Sequence, residues 1–255
     1  MQPFFGEGID GMDTFVNRAM EQAAAYCVDA EANGRIYVAE VMGRDAGFLT
    51  YFLFEASSAC VALIPELKND DEPNIDALVR FLQDMDQYDL AGRKYGLILV
   101  SEGLKGDFPK RVAEATHGYR KILTEAPEAP TEFLDLFLPQ IKFDDYGNPK
   151  LGGIGRALAY YLNSRLPKDT VQEVPAIGYQ YRCAAPSMRD IQIATRTASF
   201  AFTELMRGRS GFLAAFNSDR TIKPVDLQAV VKAGTVGLKP GEYEPHLHPG
   251  NFLVK

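Results

Sequence analysis

The sequence predicts an α/β protein in three layers, a mainly parallel sheet with helices on both faces. Three observations lead there: short β-branched runs alternate with helix-like segments, the runs are dominated by apolar residues, and 46% of the 255 residues are hydrophobic. Such runs are strands buried on both faces and joined by right-handed crossovers, and the chain is long enough to pack a core.

Asp13 reads as the N-cap of a first helix through Glu31, in which Phe15, Ala19, Ala23 and Tyr26 recur at helical spacing before Asn33-Gly34 ends it. The β-branched run from Arg35 to Met42 is a first strand, and a helix follows from about Asp45. Cys60 to Pro65 is a second strand, Ile75 to Gln87 a helix and Tyr95 to Ser101 a third strand. Beyond Gly103 the pattern loosens. Ala126 to Thr131 is a Pro-rich break, and Phe143 to Leu151 is a polar, turn-rich stretch that tips a hairpin or an insertion. A helix from about Ile154 to Leu166 follows, then a short strand from Val174 to Tyr179. A long helix N-capped by Ser187 runs to about Met206, and Gly211 to Asn217 is a further strand. No internal repeat or low-complexity segment interrupts this order.

Composition removes several classes. Twenty-seven Lys and Arg against 34 Asp and Glu leave a net charge of −7, which argues against a nucleic-acid backbone as the partner, so any phosphate site is a local basic cluster. Cys27, Cys60 and Cys183 are odd in number and far apart, with no CxxC pair; they suggest neither a disulfide framework nor a zinc site, and fit a reducing cytoplasm. Ala46 to Pro65 approaches the length of a membrane span, but Glu55 sits within it beside Ser57 and Ser58, and its halves read as a helix and a strand. The N-terminal MQPFFGEGIDGMD is acidic and Gly-rich, without the basic region of a signal peptide.

In open α/β sheets ligands bind beyond the carboxyl ends of the strands. Three strand ends there carry a charged residue near a glycine: Met42-Gly43-Arg44, Ser101-Glu102-Gly103 and Gly178-Tyr179-Gln180-Tyr181-Arg182. Taken singly, each charge reads as a solvated or ion-paired surface residue. Taken together, Arg35, Arg44 and Arg182 supply planar bidentate donors for a phosphate and Glu102 accepts sugar hydroxyls, which describes a sugar-phosphate pocket.

These residues also carry a resemblance. Gly11-MDTFV-Asn17, Arg35-IYVAEVMGRDA-Gly47, Leu63-IP-Glu66 and Leu97-ILVSE-Gly103 resemble the 6-phosphofructokinase family, whose pattern reads GFDTAxN, RxxxxEVMGRxxG, LIPE and VAEG in that order. Gly178-YQY-Arg182 followed by Pro186-SMR-Asp190 is similar to the family's LGHxQRGG…PSxxDR segment. The resemblance runs from about Gly11 to beyond Phe216 and implies a phosphofructokinase-like fold and phosphoryl transfer to the C1 hydroxyl of fructose 6-phosphate, giving fructose 1,6-bisphosphate in glycolysis. It places Met42, Gly43 and Arg44 on the triplet that holds fructose 6-phosphate, with Arg44 facing the transferred phosphoryl as the catalytic residue. Glu102 falls on the glutamate that takes sugar hydroxyls, Arg182 on the arginine of the 6-phosphate, and Tyr179 in the place of the usual histidine. Arg35 matches an arginine that reaches the sugar phosphate of a neighbouring subunit, which implies an oligomer. The family's second subunit-crossing arginine has no match in Val171 to Ile177.

The resemblance also marks what these 255 residues do not contain. The Gly-rich donor-phosphate loop (GGDGS-like) and the TIDxD segment, whose aspartate takes the proton of the C1 hydroxyl, have no counterpart here. The chain is therefore expected to be the C-terminal, substrate-binding part of such an enzyme, a truncated product or one half of a split enzyme, inactive without its N-terminal part. Residues 1–210 are expected to bind fructose 6-phosphate, with an insertion at about 125–152, and 211–255 to be the remnant of the donor-binding domain. The expected cofactor is Mg²⁺ with ligands outside this chain. The donor is pyrophosphate or ATP; GYQYR and the stretch Asp144 to Leu151 look more like the pyrophosphate-dependent members. Partners expected are a second copy or a complementing N-terminal chain, with no nucleic acid and no membrane. The rival reading is a non-catalytic sugar-phosphate-binding, regulatory or assembly subunit.

Other candidates have plainer readings. His246 and His248 order a Gly- and Pro-rich tail rather than bind a metal; Cys183 is a tolerated thiol; His117 is an exposed helix residue; Asp144-Asp145 is a solvated turn. Arg207, Arg209 and Lys223 mark a helix end and a loop.

Overall fold

A computed structural model of the chain describes residues 11–44, 46–67, 74–86, 88–104, 152–167, 170–217, 219–233, 237–239, 241–250 and 252–255. The Pro-rich break, the insertion, His117 and Asp144-Asp145 lie outside the described residues. In chain order the elements are α1 (Met12–Asn33), β1 (Ile36–Val41), α2 (Phe48–Ala56), β2 (Val61–Leu63), α3 (Ile75–Asp84), β3 (Gly96–Ser101), α4 (Ile154–Asn163), β4 (Val171–Ile177), α5 (Tyr179–Arg182), α6 (Met188–Met206), β5 (Phe212–Phe216), β6 (Ile222–Asp226), α7 (Leu227–Ala233), a 3₁₀ turn (Glu244–His246), β7 (Leu247–His248) and β8 (Phe252–Val254).

The main sheet has the order β4-β1-β3-β2-β8-β7. The first four strands are parallel, and β8 and β7 add an antiparallel edge. The sheet is thus mixed but mainly parallel, with helices on both faces. On one face α1 and α2 bring Phe15, Ala19, Leu53 and Phe54 against Ala39, Val41, Leu97 and Leu99. On the other, α3 and α4 bring Leu78, Leu82, Leu158 and Leu162 against Ile36, Val38, Ile98 and Val100. Each fully buried leucine among them contributes about 1.5–3 kcal/mol over an exposed one, so the core lies between these layers. β5 and β6 form a separate antiparallel pair against which α6 packs.

Several boundaries differ from expectation for physical reasons. The strand expected from Val174 to Tyr179 begins at Val171, because β4 runs in register with β1 from the Ile36–Val171 pair, and it ends at Ile177, before Gly178. Pro175, which has no N–H to give, is tolerated because β4 is an edge strand, and the register shifts opposite Glu40. The second helix begins at Phe48, with Gly47 as its N-cap, rather than at about Asp45. Asp13 does not cap α1: the N-cap is Gly11 at φ 78, and Asp13 instead accepts from Asn17 Nδ2. The first-turn amide of Thr14 goes to Asp190 Oδ2 at 2.8 Å, a carboxylate delivered by α6. Ser187 caps α6 as expected, its hydroxyl accepting from Asp190 N at 3.2 Å. No described helix is long and apolar enough to cross a membrane.

Candidate functional site

The strands β1, β3 and β4 end level with one another. Glu102 N donates to Val41 O at 2.9 Å and Met42 N to Ile177 O at 3.1 Å, so the residues after all three strands start from one edge. Gly178 lies against Met42, where a Cβ would stand 3.3 Å from Met42 Cβ and Sδ. This close approach explains the glycine at the start of the Gly178-Tyr179 turn.

The loop from Met42 to Gly47 is built on two unusual conformations. Gly43 has φ 156, and a Cβ there would meet Ala46 O at 2.8 Å; Arg44 is left-handed at φ 52 although it is not glycine. A left-handed arginine costs roughly 1–2 kcal/mol and must be held. Glu102 holds it, with Oε1 accepting from Gly43 N at 3.0 Å and from Arg44 N at 2.9 Å. The Arg44 residue is exposed, Glu102 half-buried and Gly43 buried. Structurally, then, Glu102 is first a clamp on the loop. A carboxylate has further acceptor capacity beyond these two bonds.

The backbone of Tyr179 to Arg182 forms α5 directly after β4, on the same edge. It is fixed to α1: the Tyr181 hydroxyl bonds Gln22 Oε1, Gln180 Nε2 donates to the same oxygen at 2.8 Å, and the Tyr181 ring meets Phe15 edge-on at 5.9 Å. The side chains of Tyr179 and Arg182 lie outside the described set.

Arg35 does not join this group. It precedes β1, at the opposite end of a six-residue strand, about 20 Å away at 3.3 Å per residue. There it is exposed and donates to Gln172 Oε1. The three-arginine pocket read from the sequence is corrected on this point: the parallel register that aligns the carboxyl ends puts Arg35 at the amino end.

Three residues without an assigned role prove central. Glu40, on β1, is buried, and its carboxylate accepts from Gly155 N at 3.0 Å at the start of α4. Burial pushes its carboxyl above the usual range; the Gly155 and Gly153 amides pull it back, and the nearby carboxylates of Glu102 and Glu173 push it further up. Glu173 is itself paired with Arg156 at 2.7 Å. Asp190 and Thr14 lock α6 to α1, the Thr14 hydroxyl bonding Asp190 and accepting from Ser187 N at 2.8 Å. An acid within an apolar strand is a sequence signal that could have found Glu40; the Asp190–Thr14 bond spans 176 residues and has no local one.

The plainer candidates behave structurally. His246 lies 3.3 Å from Glu55, and His248 stacks on Phe252 with ring centroids 4.3 Å apart while its Nδ1 accepts from Gly250 N. Both order the tail. Burial pushes the Cys60 thiol up to about 12, which leaves it unreactive. Arg207 and Arg209 both pair with the buried Glu204 at the end of α6. Among the described residues, no three His, Cys, Asp or Glu side chains gather to hold a metal ion.

Against known proteins, the family described as Phosphofructokinase matches residues 9–205. A pyrophosphate–fructose 6-phosphate 1-phosphotransferase of Thermoproteus tenax is 28% identical over 218 residues, covering 84% of this chain and 52% of that protein. An ATP-dependent 6-phosphofructokinase of Thermosynechococcus vestitus is 24% identical over 245 residues, 96% of this chain and 53% of that one. Among solved structures, a pyrophosphate-dependent phosphofructokinase from Marinobacter aquaeolei aligns with TM-score 0.63 at 16% identity, over 98% of this chain and 54% of the other, a likeness of fold. The chain spans about half the length of the curated relatives it matches.

Proposed function

We propose, because this chain belongs to the phosphofructokinase family, that it binds fructose 6-phosphate at the carboxyl edge of β1, β3 and β4. There it would serve phosphoryl transfer to the sugar's C1 hydroxyl, giving fructose 1,6-bisphosphate. The observation that carries this reading is the Glu102 carboxylate on the Gly43 and Arg44 amides, which joins the ends of two strands into one edge and fixes the backbone of the one arginine exposed in that loop.

In this reading each residue has a separate task. The Arg44 guanidinium offsets negative charge developing on the transferred phosphoryl, the largest demand in such a reaction. Glu102 accepts sugar hydroxyls with the capacity its loop contacts leave. Arg182, carried on α5, binds the 6-phosphate as a planar fork, and Met42, Gly43 and Tyr179 shape the pocket wall. Arg35, exposed at the opposite edge, is read as reaching the sugar phosphate of a neighbouring copy rather than its own pocket. The described residues do not assemble a site for Mg²⁺, and no step is assigned to it.

Pyrophosphate is the proposed donor, supported by the GYQYR run and by the Thermoproteus relative's named activity, with ATP the alternative named for the Thermosynechococcus relative. Cys27, Cys60 and Cys183 are free thiols. Since these 255 residues contain neither a GGDGS-like loop nor a TIDxD segment, the chain alone is expected to make no fructose 1,6-bisphosphate from fructose 6-phosphate with either donor and Mg²⁺. A coupled assay tests this, and turnover well above background contradicts it.

A further inference from the structure

The loop that carries Arg44 is held at two places, and only one of them is the Glu102 clamp. At its far end Gly47, the N-cap of α2, donates its amide to both oxygens of Glu66, at 2.8 and 2.9 Å. Glu66 follows β2 and receives a second backbone amide, that of Leu238, on Oε1 at 3.2 Å. Two glycines grip this carboxylate. A Cβ on Gly47 would stand 2.5 Å from Glu66 Oε2, and a Cβ on Gly237 would stand 2.8 Å from Glu66 Cγ. Neither segment leaves space for the carboxylate to shift.

We propose that Glu66 is a positioning residue for the Met42–Gly47 loop and that, through the Leu238 amide, it makes the geometry at Arg44 depend on the C-terminal segment. The argument is mechanical. Arg44 sits in a left-handed conformation that does not persist unaided, and the loop containing it has six residues. Glu102 fixes its first half by two amides, and Glu66 fixes its last residue. A change at 237–239 moves the shared carboxylate, the carboxylate moves Gly47, and the neighbouring Ala46, whose amide donates to Gly43 O at 3.3 Å, carries the shift to Gly43 and Arg44. The C-terminal segment is itself tied down beyond this contact. Lys239 N donates to Glu242 Oε2 at 2.7 Å, Tyr51 Oη to Glu242 O at 2.6 Å, and β8 pairs with β2. Two parts of the chain about 190 residues apart therefore meet on one side chain.

The functional consequence rests on the reading of Arg44 as part of a sugar-phosphate site, so the test has a readout that needs no ligand. In the ¹⁵N-labelled 255-residue chain, amide signals and hydrogen exchange are followed at Gly43, Arg44, Gly47 and Leu238, and fructose 6-phosphate is titrated into the same samples. Glu66→Ala is expected to speed exchange at Gly47 and Leu238, to shift Gly43 and Arg44, and to weaken fructose 6-phosphate about tenfold, the loss of a hydrogen bond to a charged group. Glu66→Gln keeps a carbonyl acceptor and is expected to recover most of the affinity. Gly237→Ala, which touches nothing in the loop, is expected to shift Gly43 and Arg44 in the same direction. Should Glu66→Ala not fold, Gly237→Ala carries the same readout. Signals at Gly43 and Arg44 that stay at their wild-type positions in Glu66→Ala and Gly237→Ala, with Gly47 alone responding, overturn the proposal and leave Glu66 a helix cap. Where wild type itself binds no fructose 6-phosphate, the reading of the site fails separately. Movement of the Gly43 and Arg44 signals would still uphold the brace, and their constancy would still overturn it.

Discussion

Glu102 joins two chemistries in one side chain. Its contacts to the amides of Gly43 and Arg44 are structural, while the role proposed for it, beside an exposed arginine at a strand end, is to accept sugar hydroxyls. The two are separable by substitution. Glu102→Gln retains a carbonyl for both amides, whereas Glu102→Ala leaves them unpaired, and the alanine variant is expected to lose about 1–3 kcal/mol of unfolding free energy against less for glutamine. Urea titration of both variants checks this, and equal losses would mean that the clamp is not holding the loop. Glu40 makes a prediction of the opposite kind. Its folded-state carboxyl is raised chiefly by burial, so over the interval between the ordinary carboxylate range and the raised value the native protein keeps a proton that the unfolded chain has released. The contribution of Glu40 is therefore greatest below the ordinary range and is lost as pH rises through the folded value. Glu40→Gln should remove that slope, and urea unfolding of both proteins at several pH values between about 4 and 8 reads it. A stability difference between them that is independent of pH would contradict the assignment.

At the level of elements, what could be read from the sequence depended on how far each determinant reaches along the chain. β1 and β3 were legible because a strand buried on both faces is a continuous local run, and Ser187 was legible because a cap lies next to its helix. β6 was not, its run being interrupted by Lys223 and Pro224, and the two short strands β7 and β8 were not, since a strand of two or three residues has no period to display and is made by its partners; for β8 these are β2 and β7. The cap of α1 was misassigned to Asp13 for the same reason. The carboxylate that serves Thr14 comes from Asp190, whose own position is set by α6. That substitution of a distant acid for a local one is testable: Asp190→Ala removes partners of both the Thr14 amide and hydroxyl and is expected to cost about 1–3 kcal/mol, while Asp13→Ala costs a few tenths at most. Thermal or urea unfolding of the pair decides it, and a larger loss in Asp13→Ala would restore the local cap.

For the molecule as a whole, the sheet edge was legible and the brace was not. The three neighbouring strand ends follow from the rule that parallel strands present their carboxyl ends together, and the same rule removes Arg35, which the sequence alone had grouped with Arg44 and Arg182. Glu66 could not be given a role from its own segment, because both amides it receives come from elsewhere in the chain. The proposed function requires that this edge take a sugar phosphate. Calorimetric titration of fructose 6-phosphate into the 255-residue chain and its Arg182→Ala variant, with Arg207→Ala as a control at the far end of α6, tests this most directly. The predicted result is saturable binding that weakens with salt, is unchanged in Arg207→Ala, and falls by about 1.5–3 kcal/mol in Arg182→Ala as a charge-assisted fork to phosphate is lost. Equal affinity of wild type and Arg182→Ala, or no binding by either, would contradict it.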